Sequence, residues 1–294
     1  MPTWLRTETP EVFKAPSLDR LGLVYAETRR DLSEPLATLS GSMSVQEMSG
    51  DIPLVISRKN YERSGASLPF EDWANFIKHQ VESYDATVKH ELGFSAIGYL
   101  NPVHGTDLLD LDLHMAHAEM AIPFAERPYA DAAVVRKLGR ASCIAPADCL
   151  VVNVVDPESE TLLQMHAGYV GLQNRIVGKT FQRLRAEVNP RRSLAYVSPH
   201  AQKGFVINQI NNGLVDRFEQ SPELAPYLVR RSNGDVELDM TSSLVQQLEE
   251  AGVRPENIQV SQDNSLTDPT LYSQSDFLTR SINGRNGMFF GRRR

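Results

Sequence analysis

The chain has 294 residues, 41% hydrophobic and 23% charged, an ordinary globular composition with ample material for a buried core. Its net charge of −7 and pI near 5.6 argue against nucleic acid as a partner. Its apolar runs are too short to span a bilayer, its N-terminus lacks a secretory-signal pattern, and its two cysteines, Cys143 and Cys149, suggest no disulfide framework. The expectation is a cytoplasmic protein with free thiols.

Residues 1–20, with Pro2, Pro10 and Pro16, read as an N-terminal extension, and residues 21–294 as a single domain. LGLVYAE, from Leu21 to Glu27, reads as a strand. Residues 38–66 are rich in Gly and Ser and hold short strand candidates such as PLVISR. A helix is predicted from Ser67, with Pro69 in its first turn and Phe70, Trp73, Ile77, Val81 and Tyr84 on one face. FSAIGYLNPVHG, from Phe94 to Gly105, reads as a strand ending in a turn with a histidine. DLLDLDLH, from Asp107 to His114, alternates like a half-buried strand.

The stretch ADCLVVNVVDPESETLLQMHAGYVG predicts two strands, Cys149–Val155 and Thr161–Met165, joined by a turn at Asp156–Ser159. A helix carrying Leu172, Ile176, Phe181, Leu184 and Val188 follows and stops at Asn189-Pro190. SLAYVS is a strand. Asp239 caps a helix with Leu244, Val245 and Leu248, which Gly252 ends. ENIQVS is a further strand, and SINGRNGMFF a hairpin turning at Asn283-Gly284. Strands and helices mix without strict alternation, which predicts an α+β fold with mixed sheets.

Three residues draw attention together. His104 lies in PVHG, Cys149 opens a predicted strand and His166 closes another. Two imidazoles and a thiolate suit zinc, with a fourth position left for a water that the metal acidifies. The same trio fits a metal-free thiolate–imidazole nucleophile, and each residue singly fits a structural role. HMAH, with Asp107, Asp110 and Asp112, reads as a solvated face rather than a second metal cluster. Asp148 is a candidate acceptor for a metal-binding imidazole, or a simple turn cap.

PVHG, ADAAVV, ADCLVVNVVDPE, HAGYVG and SPHAQKGFVI, in this order and spacing, resemble the laccase-domain (YfiH-like) family. Its members are also called multicopper polyphenol oxidases, purine nucleoside phosphorylases or peptidoglycan-editing factors. The resemblance runs from about Thr38 to the C-terminus. It implies a single layered α/β/β/α-type domain and a zinc site on His104, Cys149 and His166, with copper the less favoured metal. It implies a small-molecule substrate, a purine nucleoside foremost, with His200, Arg175 and Arg280 as candidate substrate contacts. The chain departs from the family at Leu39 and Val170, which stand where arginines are usual, and it lacks the family's C-terminal cysteine. Arginine is the fork that grips phosphate, so its loss predicts hydrolytic or deaminating turnover without phosphate, or else a non-enzymatic zinc scaffold that binds a partner or ligand.

Overall fold

A computed structural model describes residues 5–14, 16–29, 69, 71–72, 75, 85–115, 128–202, 205–207, 212–273 and 286–294. The PLVISR and TLSGSMS stretches, most of the predicted 67–84 helix, the Asn283-Gly284 turn, His117 and Arg280 lie outside these residues.

Strands β1 (Leu5–Thr7), β2 (Leu23–Thr28), β3 (Ala96–Tyr99), β6 (Arg140–Ile144) and β14 (Met288–Arg292) form a five-stranded mixed sheet in the order β1-β2-β14-β6-β3. A six-stranded mixed sheet has the order β13-β9-β7-β8-β5-β4. Its members are β4 (Leu108–Asp110), β5 (Ala132–Val135), β7 (Leu150–Asp156), β8 (Thr161–Ala167), β9 (Leu194–Val197) and β13 (Ile258–Val260). A small antiparallel sheet joins β10 (Phe205–Ile207), β12 (Val236–Leu238) and β11 (Leu228–Arg230).

The six-stranded sheet is covered on both faces, which explains its unbroken apolar runs. On one face Val152, Val154, Leu163 and Met165 pack against Leu172, Ile176, Phe181, Leu244 and Leu248. These come from helices α2 (Tyr169–Gln173), α3 (Ile176–Arg183) and α5 (Met240–Glu250), and α4 (Asn212–Glu219) adds Phe218 to the same cluster. On the other face Val151, Val155 and Tyr196 meet Tyr25, Met288, Phe290 and Phe13 of the five-stranded side. Beyond that second sheet, helical residues 85–92 bury Val88 and Leu92, and the Tyr99 hydroxyl donates to Asp85 (3.0 Å). The chain is thus a layered mixed α/β fold, as the sequence implied. Its first residues join the body, with β1 as a sheet edge and Phe13 stacked on Phe290 at 5.5 Å.

Three local expectations change. Leu111–His114 is a helical turn, α1, rather than strand, because the Asp110 side chain accepts from Leu113 N. Asp112 is buried, not on a wet face, and holds the Arg136 and Lys137 amides and the Arg140 guanidinium. The helix predicted through Val188 is two pieces, broken at Arg175 (φ 58°) and ended at Arg183. The Asp239 cap forms as expected, accepting from Ser242 N at 2.9 Å, and Gly252 leaves the helix at φ 102°.

Phe290 is fully buried between the sheets, so Phe290→Ala should cost about 3–5 kcal/mol through the cavity it leaves. A denaturant titration showing less than about 1 kcal/mol of loss would mean that the two sheets do not pack through this ring.

Candidate metal centre

The β7–β8 hairpin sets two of the candidate ligands. Its register pairs Leu150 with Ala167 and Val151 with His166. Cys149 therefore sits just past the end of β7, beside the His166 end of β8. The expected antiparallel pair is present, one residue offset at the start and two residues longer at the end of the second strand. His104 is not at a strand end. Strand β3 stops at Tyr99, and His104 lies in the loop after it, in the left-handed region at φ 61°.

A ligand atom from each of His104, Cys149 and His166 lies within 4.8 Å of those of the others, the single such group of three or more among the described residues. The two imidazole rings meet edge to face, with centroids 5.0 Å apart. His104 is exposed, Cys149 half-buried and His166 buried, so the cluster opens to solvent on the His104 side. Gly168 forms its wall. A Cβ there would stand 3.2 Å from both Cys149 Sγ and His104 Cδ2, closer than ordinary packing allows.

Asp131 organises the cluster. Its carboxylate accepts from the amides of Val103 (3.2 Å), His104 (2.9 Å) and Gly105 (2.7 Å), which fixes the loop carrying His104. It also faces His166 Nδ1 at 3.0 Å. Because a carboxylate accepts only, Nδ1 carries the proton and Nε2 is left for the cluster. Burial alone would raise the Asp131 carboxyl, but the His166 bond and the loop amides outweigh it and hold it below the usual carboxylate value. In the sequence Asp131 is one residue of ADAAVV, with no role assigned to it. The signal was an acid directly before a buried apolar strand, where a lone charge needs partners.

Among the described residues it is Asp131, not Asp148, that faces an imidazole of the cluster. The Asp148 carboxylate accepts from the Ser265 and Ser273 hydroxyls, and its backbone is left-handed at φ 81°. Two non-glycine residues in that region, His104 and Asp148, flank the cluster. Each left-handed placement costs about 1–2 kcal/mol, so the surroundings must hold them there.

The remaining candidates lie elsewhere. His200 is fully buried; its Nδ1 donates to the Ser198 carbonyl and its Nε2 accepts from the Thr241 hydroxyl, each at 2.7 Å. Arg175 is exposed and pairs with Glu250 at 2.7 Å, lining a groove with Lys179 and Arg185. Asp110 pairs with Arg136, Asp112 with Arg140 and Asp107 with Arg183, so these acids serve arginines.

Two predictions follow from the cluster. Asp131→Asn keeps the shape but replaces one acceptor oxygen by a donor, so metal affinity should fall about 10–100-fold while the fold persists. A competition titration against a chromophoric chelator reads this, and unchanged affinity would remove Asp131 from its role. The second concerns pH. Burial would raise the Cys149 thiol, but hydrogen bonds and charge from His104 and His166 overcome it and lower it from 9.0 to about 6. Burial likewise opposes protonation of His166, while Asp131 and Cys149 push it up to about 9. The lowered thiol is ionised above its pKa. In metal-free protein, alkylation of Cys149 should therefore accelerate as pH rises through about 6 instead of near 9, with buried Cys143 unreactive. A rate that climbs only near pH 9 would contradict this.

Residues 55–292 match the family described as multi-copper polyphenol oxidoreductase laccase. A purine nucleoside phosphorylase of Xylella fastidiosa is 30% identical over 122 residues, 41% of this chain and 45% of its own. Another of that name from Corynebacterium glutamicum is 28% identical over 126 residues, 42% of this chain and 49% of its own. The chain thus spans about half the length of these curated relatives. YlmD of Geobacillus stearothermophilus shares the fold at TM-score 0.66 and 21% identity, covering 95% of this chain and 94% of that one. A Neisseria meningitidis protein described as DUF152 does so at TM-score 0.67 and 19% identity, covering 99% and 100%. With the family match extending over most of its length, the chain belongs to the multi-copper polyphenol oxidoreductase laccase family.

Proposed function

We propose that this protein is a zinc-dependent enzyme acting on purine nucleosides or a related small polar substrate. The observation that carries the reading is the convergence of His104, Cys149 and His166, with Asp131 fixing the His166 tautomer. Two imidazoles and one thiolate, two of the three at one end of a rigid hairpin, suit zinc with a fourth position left open. A multi-copper arrangement calls for further ligand groups, and the described residues hold this one. Bound here, zinc supplies Lewis acidity and an acidified water at its open position.

The chain's own residues do the rest. Asp131 keeps His166 Nε2 aimed at the cluster and holds the His104 loop. Val103 and Tyr129 are 51% and 67% exposed. Val103 precedes His104, and Tyr129 stands two residues before Asp131, bridged to Asn101. Two apolar side chains left in water, near in sequence to His104 and to Asp131, suit the face of a planar ring. The curated relatives named purine nucleoside phosphorylase support the same substrate class.

Turnover is proposed to be hydrolytic or deaminating, without phosphate. Val170 stands on α2 where the resemblance expects an arginine, and the Arg175 guanidinium is engaged by Glu250. A dianion without fork-shaped donors stays better solvated by water.

A second reading has its own support. The lowered Cys149 thiol and raised His166 form a thiolate–imidazolium pair between about pH 6 and 9, which is the resting state of a metal-free cysteine nucleophile. One assay separates the two. Adenosine and inosine turnover is followed across a phosphate titration, with zinc-loaded and chelator-treated protein. The expected result is activity that needs zinc and is flat in phosphate. A rate rising saturably with phosphate, with ribose-1-phosphate formed, overturns the phosphate-independent step. Activity that survives chelation favours the cysteine nucleophile.

A further inference from the structure

Cys149 has no element of its own to hold it. It follows Asp148, whose left-handed backbone turns the chain into the cluster. Both Asp148 carboxylate oxygens are taken by hydroxyls from far along the chain, Oδ1 by Ser265 at 2.6 Å and Oδ2 by Ser273 at 3.0 Å. Both serines are nearly inaccessible, at 2% and 3% exposure. A short, charge-assisted bond to each oxygen fixes the carboxylate in plane and direction, which a single bond does not.

The segment bearing these serines is itself clamped. Ser261 N donates to the Val197 carbonyl and Ser265 N to that of His200. The Asp148 carbonyl in turn accepts from Ala201 N at 3.0 Å. Arg29, from the end of β2 in the other sheet, is buried and reaches across the arch. Its guanidinium pairs with Asp263 and donates to Asp268 (2.6 Å) and Thr270 (3.1 Å), with Glu27 anchoring its Nε at 2.5 Å. At the far end Asn286 exchanges two bonds with the Tyr272 backbone, and its own amide donates to the Pro146 carbonyl, two residues before Asp148.

We propose that residues 261–273 are the positioning support of the metal centre: Ser265 and Ser273 aim Cys149 at His104 and His166 through the Asp148 carboxylate, and Arg29 locks the segment to the five-stranded sheet. These are positioning residues, since neither serine is in the ligand group. The proposal rests on the reading of the cluster as a metal site. It makes the affinity of that site depend on hydroxyls more than a hundred residues downstream of the thiol, in addition to the hairpin that sets Cys149 beside His166 and the Asp131 carboxylate that holds the two histidines.

The test uses Co²⁺ as the probe, because its thiolate charge-transfer band reports the Cys–metal bond directly. Wild type, Ser265→Ala, Ser273→Ala, the double variant and Leu92→Ala are titrated with Co²⁺, and their thermal stabilities measured. Leu92→Ala leaves a cavity under the helical residues behind the five-stranded sheet and serves as a loss of stability outside the 261–273 segment and its partners. The expected result is about tenfold weaker Co²⁺ binding in each single variant, more in the double, with a weakened or shifted thiolate band. Leu92→Ala should bind as wild type does. Affinity and band within twofold of wild type in the double variant overturn the proposal, as does an equal loss in Leu92→Ala. If the double variant fails to fold, the single variants decide by the same criteria. Wild type that binds no Co²⁺ overturns both the metal reading and this one, whereas binding that the serine variants leave unchanged overturns this one alone.

Discussion

The Asp131 carboxylate has no exposed surface, yet it carries a charge. A buried charge is tolerated only when every side of it is answered by a donor, and here the donors come from two distant pieces of chain. The amides of residues 103–105 close on it from the loop after β3, and the His166 ring closes on it from β8. One requirement, keeping a buried anion solvated by protein, thus places both imidazoles. Moving Asp131 would free the left-handed His104 and the tautomer of His166 together.

The sheet behind it makes this precision possible. Strands β7 and β8 are buried along their whole length, packed by helices on one side and by the second sheet on the other. Side chains so enclosed have little room to shift, and a site built at the end of such strands inherits their rigidity. Gly168 completes the arrangement by omission, because any side chain there would press on Cys149 and His104. The three clustered side chains are graded in exposure, with His166 innermost and His104 outermost on its loop. That leaves the cluster open to solvent on the His104 side.

Much of this was legible in the residues. The apolar run before Asp156-Pro157 and the one after it define a hairpin, and a period-two register then puts Cys149 and His166 at one end. Asp239 and Gly252 bound their helix by local capping chemistry that depends on neighbours only. Elsewhere local signals competed. The Leu/Asp alternation at 107–114 suits a strand, but the Asp110 side chain reaches Leu113 N and turns the chain into a helix, while Asp112 is drawn inward by two amides and an arginine. The apolar face running from Leu172 to Val188 hides the break at Arg175, since both pieces bury the same stripe against the sheet.

The sequence by itself determined the hairpin that joins Cys149 and His166 and the mixed strands and helices, because periodicity and turn chemistry are properties of adjacent residues. The layered arrangement and the grouping of His104 with those two were what the family resemblance implied. Only the tertiary structure decided that Asp131, not Asp148, orients His166, and that Asp148 belongs to two serines 117 and 125 residues away. An acid declares its charge in the sequence, but its partner is whatever donor the packed sheets bring to it. Bonds between residues that far apart leave no local pattern in the chain, because they exist only once both sheets have closed.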